Sequence, residues 1–417
     1  MIYLIIATSK LHKDGYLNKI ARDVWDIVSK YGVRGGFKIS DPAGIVIDRF
    51  NNASAFIILS LTGGSEEVIT EFAKFKKPIV IVAHSSDNSL ASSIEAYSLL
   101  RYQGIPSCIV RYEDRYSFEE NFHYYGRVLN ALDNLYNARI VLFGDPSPWL
   151  VYSNMQLDII KSLFNLKISK IDLSELVDEY NKVSDVRVED CLKIYRNVEL
   201  IEPNDSDLTR SIRLYLAMRS ILDKYNAKLA SIRCFDLIKY RLTPCLAVSF
   251  LNNEGYDIAC EGDIPSLITM YFMRLISGNP SFMANLVWHG DSELIFAHCT
   301  APTKMLIAYR FRSHYESGIG LSIEGEFREG VKTTFAKIDF INKTIFYGLG
   351  LVARGSPFLN RACRTQISID IGSNTEAIYE ICVGNHFILS IGDYTKYFKA
   401  LSRILGFQSK YISRTYE

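Results

Sequence analysis

The sequence predicts an α/β protein: two successive βαβ domains built on parallel sheets, then a C-terminal antiparallel β-barrel-like domain. Three observations carry this. Short β-branched apolar runs alternate with longer amphipathic ones over the first 135 or so residues, and the same alternation restarts at Ala138. Past residue 285, strand-like runs follow one another with little helix between them. The length, 417 residues, suits two to four domains at about 100–200 residues each. Hydrophobic residues make up 48% and charged ones 22%, enough apolar surface to fill cores and exclude disorder. Lys+Arg (47) and Asp+Glu (46) nearly cancel, leaving net charge +1 without the basic excess of a nucleic-acid binder. Small-molecule chemistry is the starting expectation.

In the first domain, strands are expected at residues 2–8, 55–61, 78–83 and 107–112, with helices at 15–31, 66–75, 91–102 and 118–135. Ligands approach such parallel strands at their carboxyl ends. Two loops lie there: Thr62, Gly63, Gly64 and Ser65, and the run His84, Ser85, Ser86, Asp87, Asn88 and Ser89. Both open helices, where free N–H groups hold anions or hydroxyls; both equally read as a turn plus an N-cap. The second domain starts with a strand at 138–143 that ends in Gly144-Asp145-Pro146-Ser147-Pro148-Trp149. A helix at 153–166, a strand at 167–173, a helix at 205–225, a strand-like stretch at 246–250 and an apolar helix at 267–276 follow. The third has strands at 293–297, 304–309, 321–327, 333–338, 344–349, 366–371 and 387–391, then a helix at 394–405. Boundaries are therefore expected at 1–137, 138–284 and 285–417, the first two domains flavodoxin-like or Rossmann-like. With neither repeats nor low-complexity linkers, the domains are expected to pack tightly.

No apolar run approaches the ~20 residues of a membrane span, so no membrane partner is expected. The opening MIYLIIATSK has no basic segment before it and no small-residue cleavage site after it, and reads as a buried strand. The eight cysteines form no CxxC pair, which fits reduced, buried thiols and a cytoplasmic protein.

The densest polar segment in an apolar setting is Ala259-Cys260-Glu261-Gly262-Asp263-Ile264-Pro265. Asp263 is placed to cap the helix that follows. Capping leaves Glu261 unexplained: it is either buried and paired or presented to a ligand. His298 ends the run LIFAH, and His386 opens the strand FILSIGD. Each reads either as a satisfied core histidine or as a metal ligand beside Glu261. Spacing alone does not bring the three together.

The stretch from Thr243 to Pro302, with its CEGDI and HCTAP blocks, resembles the core of the L-fucose/L-arabinose isomerase family, most closely a fucose isomerase-like branch. Thr62-Gly63-Gly64, Asn88-Ser89-Leu90 with Glu95, Gly144-Asp145-Pro146-Ser147 with Trp149, HYESG at 314–318, CRTQ at 363–366, and Asn385-His386 with Gly392-Asp393 continue the resemblance in order. It implies metal-dependent aldose–ketose interconversion through an enediol, with Mn²⁺ or another divalent metal and two acidic residues passing protons. On this resemblance Glu261 is a metal ligand and acid/base, and His386 a metal ligand. His298 lies near the metal, and Thr62, Gly63, Asn88, Ser89 and Trp149 contact substrate. The family's second acid falls on Asn285, 24 residues past Glu261. An amide oxygen ligates a metal but does not accept and return a proton near neutral pH.

Asp291 and Glu293 lie nearby as turn residues, and His289 is an alternative proton carrier. Arg364 either clamps an acidic substituent of the sugar or pairs with Glu316 or Asp263. Three readings follow: a sugar isomerase, a sugar-binding or regulatory homologue that lost proton transfer at Asn285, or another enzyme using His289 or Asp263. The resemblance further implies a small-molecule carbohydrate as ligand and a homo-oligomer, hexamer or trimer, with the site at a subunit interface.

Overall fold

The computed structural model describes residues 1–10, 17–356, 358–372, 375–381 and 383–413. The first two residues of the helix expected at 15–31, and Cys382, lie outside these. The chain divides into two units: Met1–Tyr136 with Lys396–Ser409, and Asn137–Thr395 with Lys410–Glu417.

The first unit is built on five parallel strands: β1 (Ile2–Ala7), β2 (Val33–Ile39), β3 (Ala55–Ser60), β4 (Ile79–His84) and β5 (Ser107–Tyr112), in the order β2-β1-β3-β4-β5. Every residue of β3 and β4 is buried, which is why these strands read as unbroken apolar runs. β2 escaped the sequence reading. Its VRGGFKI carries two glycines and lies mostly exposed on the sheet edge, so no apolar run marks it. The helix Thr395–Leu405 belongs mostly to this unit, where His123 Nε2 lies 3.0 Å from the Tyr397 hydroxyl and Arg403 donates to Ile109 O at 2.7 Å.

The second unit joins a parallel sheet to a barrel. Strands β6 (Arg139–Phe143), β7 (Lys167–Ile171), β8 (Leu229–Ile232) and β9 (Asp257–Cys260) run parallel in the order β7-β6-β8-β9. The strand-like stretch at 246–250 is instead part of a helix, Cys245–Asn253, buried over eight consecutive residues. A helix apolar all round and a buried strand look alike over five residues. The barrel strands are β10 (Phe282–His289), β11 (Glu293–His298), β14 (Lys332–Asp339), β15 (Thr344–Arg354), β16 (Thr365–Asp370) and β17 (His386–Ile391). They close an antiparallel ring in the order β14-β17-β10-β11-β16-β15, with β15 returning to β14. A short ribbon of β12 (Ala308–Arg312) and β13 (Ser322–Glu326) lies outside the ring. Phe282, Ala284, Leu294, Phe296, Phe335, Ile367, Ile369, Phe387 and Leu389 belong to one buried cluster, alternating along their strands as a filled barrel requires.

Candidate functional site

Glu261 leaves the carboxyl end of β9, where parallel sheets present ligand-binding groups. Its backbone is left-handed, with φ +62°, and Gly262 follows at +73°. A non-glycine residue held there stores about 1–3 kcal/mol, so the surrounding structure must fix it. The loop after β6 does so: Ser147 N donates to Glu261 O at 2.8 Å, and a Cβ on Gly262 would lie 2.5 Å from Pro146 Cα. The same loop brings in Trp149, whose indole Nε1 donates to Glu261 Oε2 at 2.6 Å.

Asp263 caps the helix Ile264–Ser277, accepting from Ser266 N at 2.9 Å and Ser266 Oγ at 2.8 Å. It has a second task. Its Oδ2 also lies 2.8 Å from His386 Nδ1, fixing that ring so that Nε2 faces Glu261 Oε1 at 3.6 Å. A carboxylate behind an imidazole is the arrangement that orients histidine ligands of metals. His298 ends β11 and continues the inward-facing series Leu294 and Phe296, whereas His386 precedes the inward Phe387. They meet at their strand ends, with ring centroids 5.7 Å apart. His298 Nδ1 is engaged by the Thr300 hydroxyl at 3.0 Å.

One ligand atom each from Glu261, His298 and His386 falls within 4.8 Å of the others, and all three residues are buried. A carboxylate and two imidazoles suit a divalent transition metal. The electrostatics fit a cation too. Burial works against ionised Glu261, yet His386, His298 and the Trp149 N–H outweigh it and hold the carboxyl below its usual range. Burial also opposes charging His386, but Asp263 and Glu261 raise it to about 9. Burial and the neighbouring His386 push His298 down to about 3, leaving it neutral and able to ligate. The proton on His386 balances the two carboxylates that face it, and a divalent cation held by the three side chains would supply positive charge at the same place.

Residues 159–279 match the L-arabinose isomerase central domain. The sulfoquinovose isomerase of Priestia megaterium is 23% identical over 391 residues, 86% of each chain. The L-arabinose isomerase of Thermotoga maritima is 28% identical over 185 residues, 41% of this chain and 37% of that one. L-arabinose isomerase 2 of Clostridium acetobutylicum is 24% identical over 147 residues, 32% of this chain and 30% of its own. The chain is similar to sugar isomerases. The matches are to L-arabinose and sulfoquinovose isomerases.

The other residues singled out in the sequence are placed as follows. Asn285 pairs with His386 across β10 and β17 and so shares its face; its Oδ1 accepts from Asn385 Nδ2 at 3.0 Å. His289 does not join the cluster. It sits four residues further along β10, about 13 Å at the rise of a strand, with Nδ1 3.2 Å from the Thr375 hydroxyl and Nε2 2.6 Å from the Tyr379 hydroxyl. Arg364 donates to Ser313 O at 2.9 Å and Ser313 Oγ at 3.1 Å, and lies over Tyr315 and near Glu202.

Thr62, Gly63, Asn88 and Ser89 belong to the first unit, where their two loops interlock. Gly63 N donates to Asp87 O at 2.6 Å, and a Cβ on Gly63 would meet Asn88 Cβ at 2.8 Å. Thr62 Oγ1 accepts from Ser9 N at 2.8 Å, and Ser89 Oγ accepts from His84 N at 3.1 Å. Both hydroxyls thus accept from backbone at the ends of β1 and β4. Two features went unread in the sequence: the bond from Asp263 to His386, and the contact of buried His314 with Glu316 inside the HYESG segment. A histidine two residues from a glutamate was the available signal for the latter.

No helix among the described residues is long and apolar enough to cross a membrane.

Proposed function

We propose that the protein is a metal-dependent aldose–ketose isomerase acting on a sugar or sugar derivative through an enediol, of the fucose isomerase-like branch. The convergence of Glu261, His298 and His386 carries this reading. Glu261 serves as ligand and base, and His386, oriented by Asp263, as ligand. His298 completes the set, with Asn285 beside it as an amide oxygen. Bound there, Mn²⁺ or another divalent cation would supply positive charge against the substrate's oxygens and the negative charge that develops on them. Trp149 holds the Glu261 carboxylate and walls the site. Thr62, Gly63, Asn88, Ser89 and Arg364 are proposed substrate contacts, in a cytoplasmic homo-oligomer, hexamer or trimer, that forms its site between subunits; His289, away from the cluster, is left out of the proton transfer.

The test is incubation with Mn²⁺ and a panel of pentoses, hexoses, uronates and sulfoquinovose in D₂O. Isomerisation, or deuterium appearing at C2, is expected, and Glu261→Gln removes it with the fold retained. Absence of both signals from the wild-type protein overturns the proposal. The second reading, a sugar-binding or regulatory homologue without turnover, is favoured by one observation: Asn285 puts an amide where the resemblance expects a carboxylate. Sugar binding without exchange would establish it.

A further inference from the structure

This inference rests on the isomerase reading. Interconverting an aldose and a ketose moves one proton between neighbouring carbons and another between their oxygens. Glu261 offers one proton-carrying carboxylate, but Asn285 carries none near neutral pH. A second carboxyl stands on another strand connection. From Glu261, the indole of Trp149 packs edge-on against Phe235 (centroids 5.2 Å, 82°), and Phe235 edge-on against His314 (5.6 Å, 80°). His314 Nε2 then lies 3.3 Å from Glu316 Oε2. Glu261 and Glu316 are thereby linked through one run of packed rings, and the Glu316 side chain is half exposed.

The imidazole is well fixed. His314 is buried, and its Nδ1 lies 2.9 Å from the Ser317 hydroxyl. Its backbone is tied to Ile319 O at 3.0 Å and to Gly318 N at 2.8 Å. Burial pushes His314 down to about 4, so the ring is neutral. Burial raises Glu316 above the usual carboxyl range, and the charge on Glu261 adds to that rise. A carboxyl inclined to keep its proton, set against a neutral imidazole, is poised to give that proton and take it back.

We propose that Glu316, oriented by His314, is the second proton-transfer group of this site. Glu261 takes the proton from the hydroxyl-bearing carbon of the aldose. The C–H electron pair becomes the carbon–carbon double bond, and the carbonyl oxygen takes the proton of Glu316, giving a neutral enediol. The Glu316 carboxylate then removes the proton of the other hydroxyl, that oxygen becomes the new carbonyl, and the double-bond electrons take the proton back from Glu261 onto the former carbonyl carbon. Both carboxyls end as they began, and no oxidant or reductant is consumed.

The experiment compares wild type with Glu316→Gln, using Mn²⁺ and the sugar panel above. In the variant, kcat is expected to fall by about 100-fold or more, while KM and Mn²⁺ affinity stay within about threefold. An unchanged kcat overturns this inference and leaves the isomerase reading standing. So does a loss matched by equal loss of Mn²⁺ affinity, which marks a structural role. A wild-type protein without isomerisation or exchange removes the isomerase reading, and this inference with it. Should Glu316→Gln not fold, His314→Asn keeps the carboxyl but frees it. It must then lower kcat by about tenfold or more with Mn²⁺ affinity retained, and wild-type kcat again overturns the inference.

Discussion

Asp263 serves two partners at once, and a single substitution separates them. Asparagine caps a helix about as well as aspartate, so Asp263→Asn keeps the bond from Ser266 N but removes the charge facing His386. The expected outcome is Mn²⁺ affinity lower by about 10–100-fold, read by calorimetric titration, with helical content unchanged. Wild-type affinity in this variant would show that His386 needs no orienting carboxylate. The two roles also differ in legibility. The cap is local, because Asp-Ile-Pro-Ser places acceptor and donor three residues apart. The bond to His386 spans 123 residues, a separation that no periodicity encodes. Glu261 stood out because a carboxylate between Cys260 and Gly262 has no local reason to be there. Nothing near Glu261 in the chain indicated where its partners lie; the family resemblance suggested them, and folding places them together.

At the scale of elements, the strands buried on both faces were the most legible, since each must be a continuous apolar run: β3 and β4 fall within a residue of where they were expected. β2 was lost because an edge strand need not be apolar, and the helix Cys245–Asn253 was misread because total burial erases the helical period. The junction between β9 and the helix Ile264–Ser277 was legible as a polar turn but not as a strained one. Its strain makes Gly262 a sharp test. Gly262→Ala places a Cβ against Pro146 backbone, which has no rotamer to yield, at a φ that L residues disfavour by roughly 1–2 kcal/mol. The substitution is expected to lower the denaturant midpoint by more than that preference alone and to weaken Mn²⁺ binding, because the loop carrying Trp149 must move. An unchanged midpoint would mean the Glu261–Gly262 turn is free to relax, and so is not what positions the carboxylate.

Near neutral pH the charges of the whole molecule nearly balance, so acid both adds net positive charge and breaks particular pairs. Glu202 is one such pair's acid. It accepts from Arg312 Nε at 2.7 and 2.8 Å and from Ser313 N at 3.1 Å, linking the segment before the helix Asp205–Lys224 to β12 within the second unit. The Arg312 guanidinium, aided by the Ser313 N–H and against the cost of burial, holds Glu202 down to about 2. A folded-state pKa below the unfolded one means the stabilisation is fully present above the unfolded value, near 4.5. It is lost as pH falls from there through about 2. Glu202 is partly exposed, so solvent and salt screen the pair. Glu202→Gln is therefore expected to flatten the decline of the urea midpoint between about pH 4.5 and 2, with the difference from wild type shrinking in high salt. Equal slopes in the two proteins would remove Glu202 from the account of acid stability.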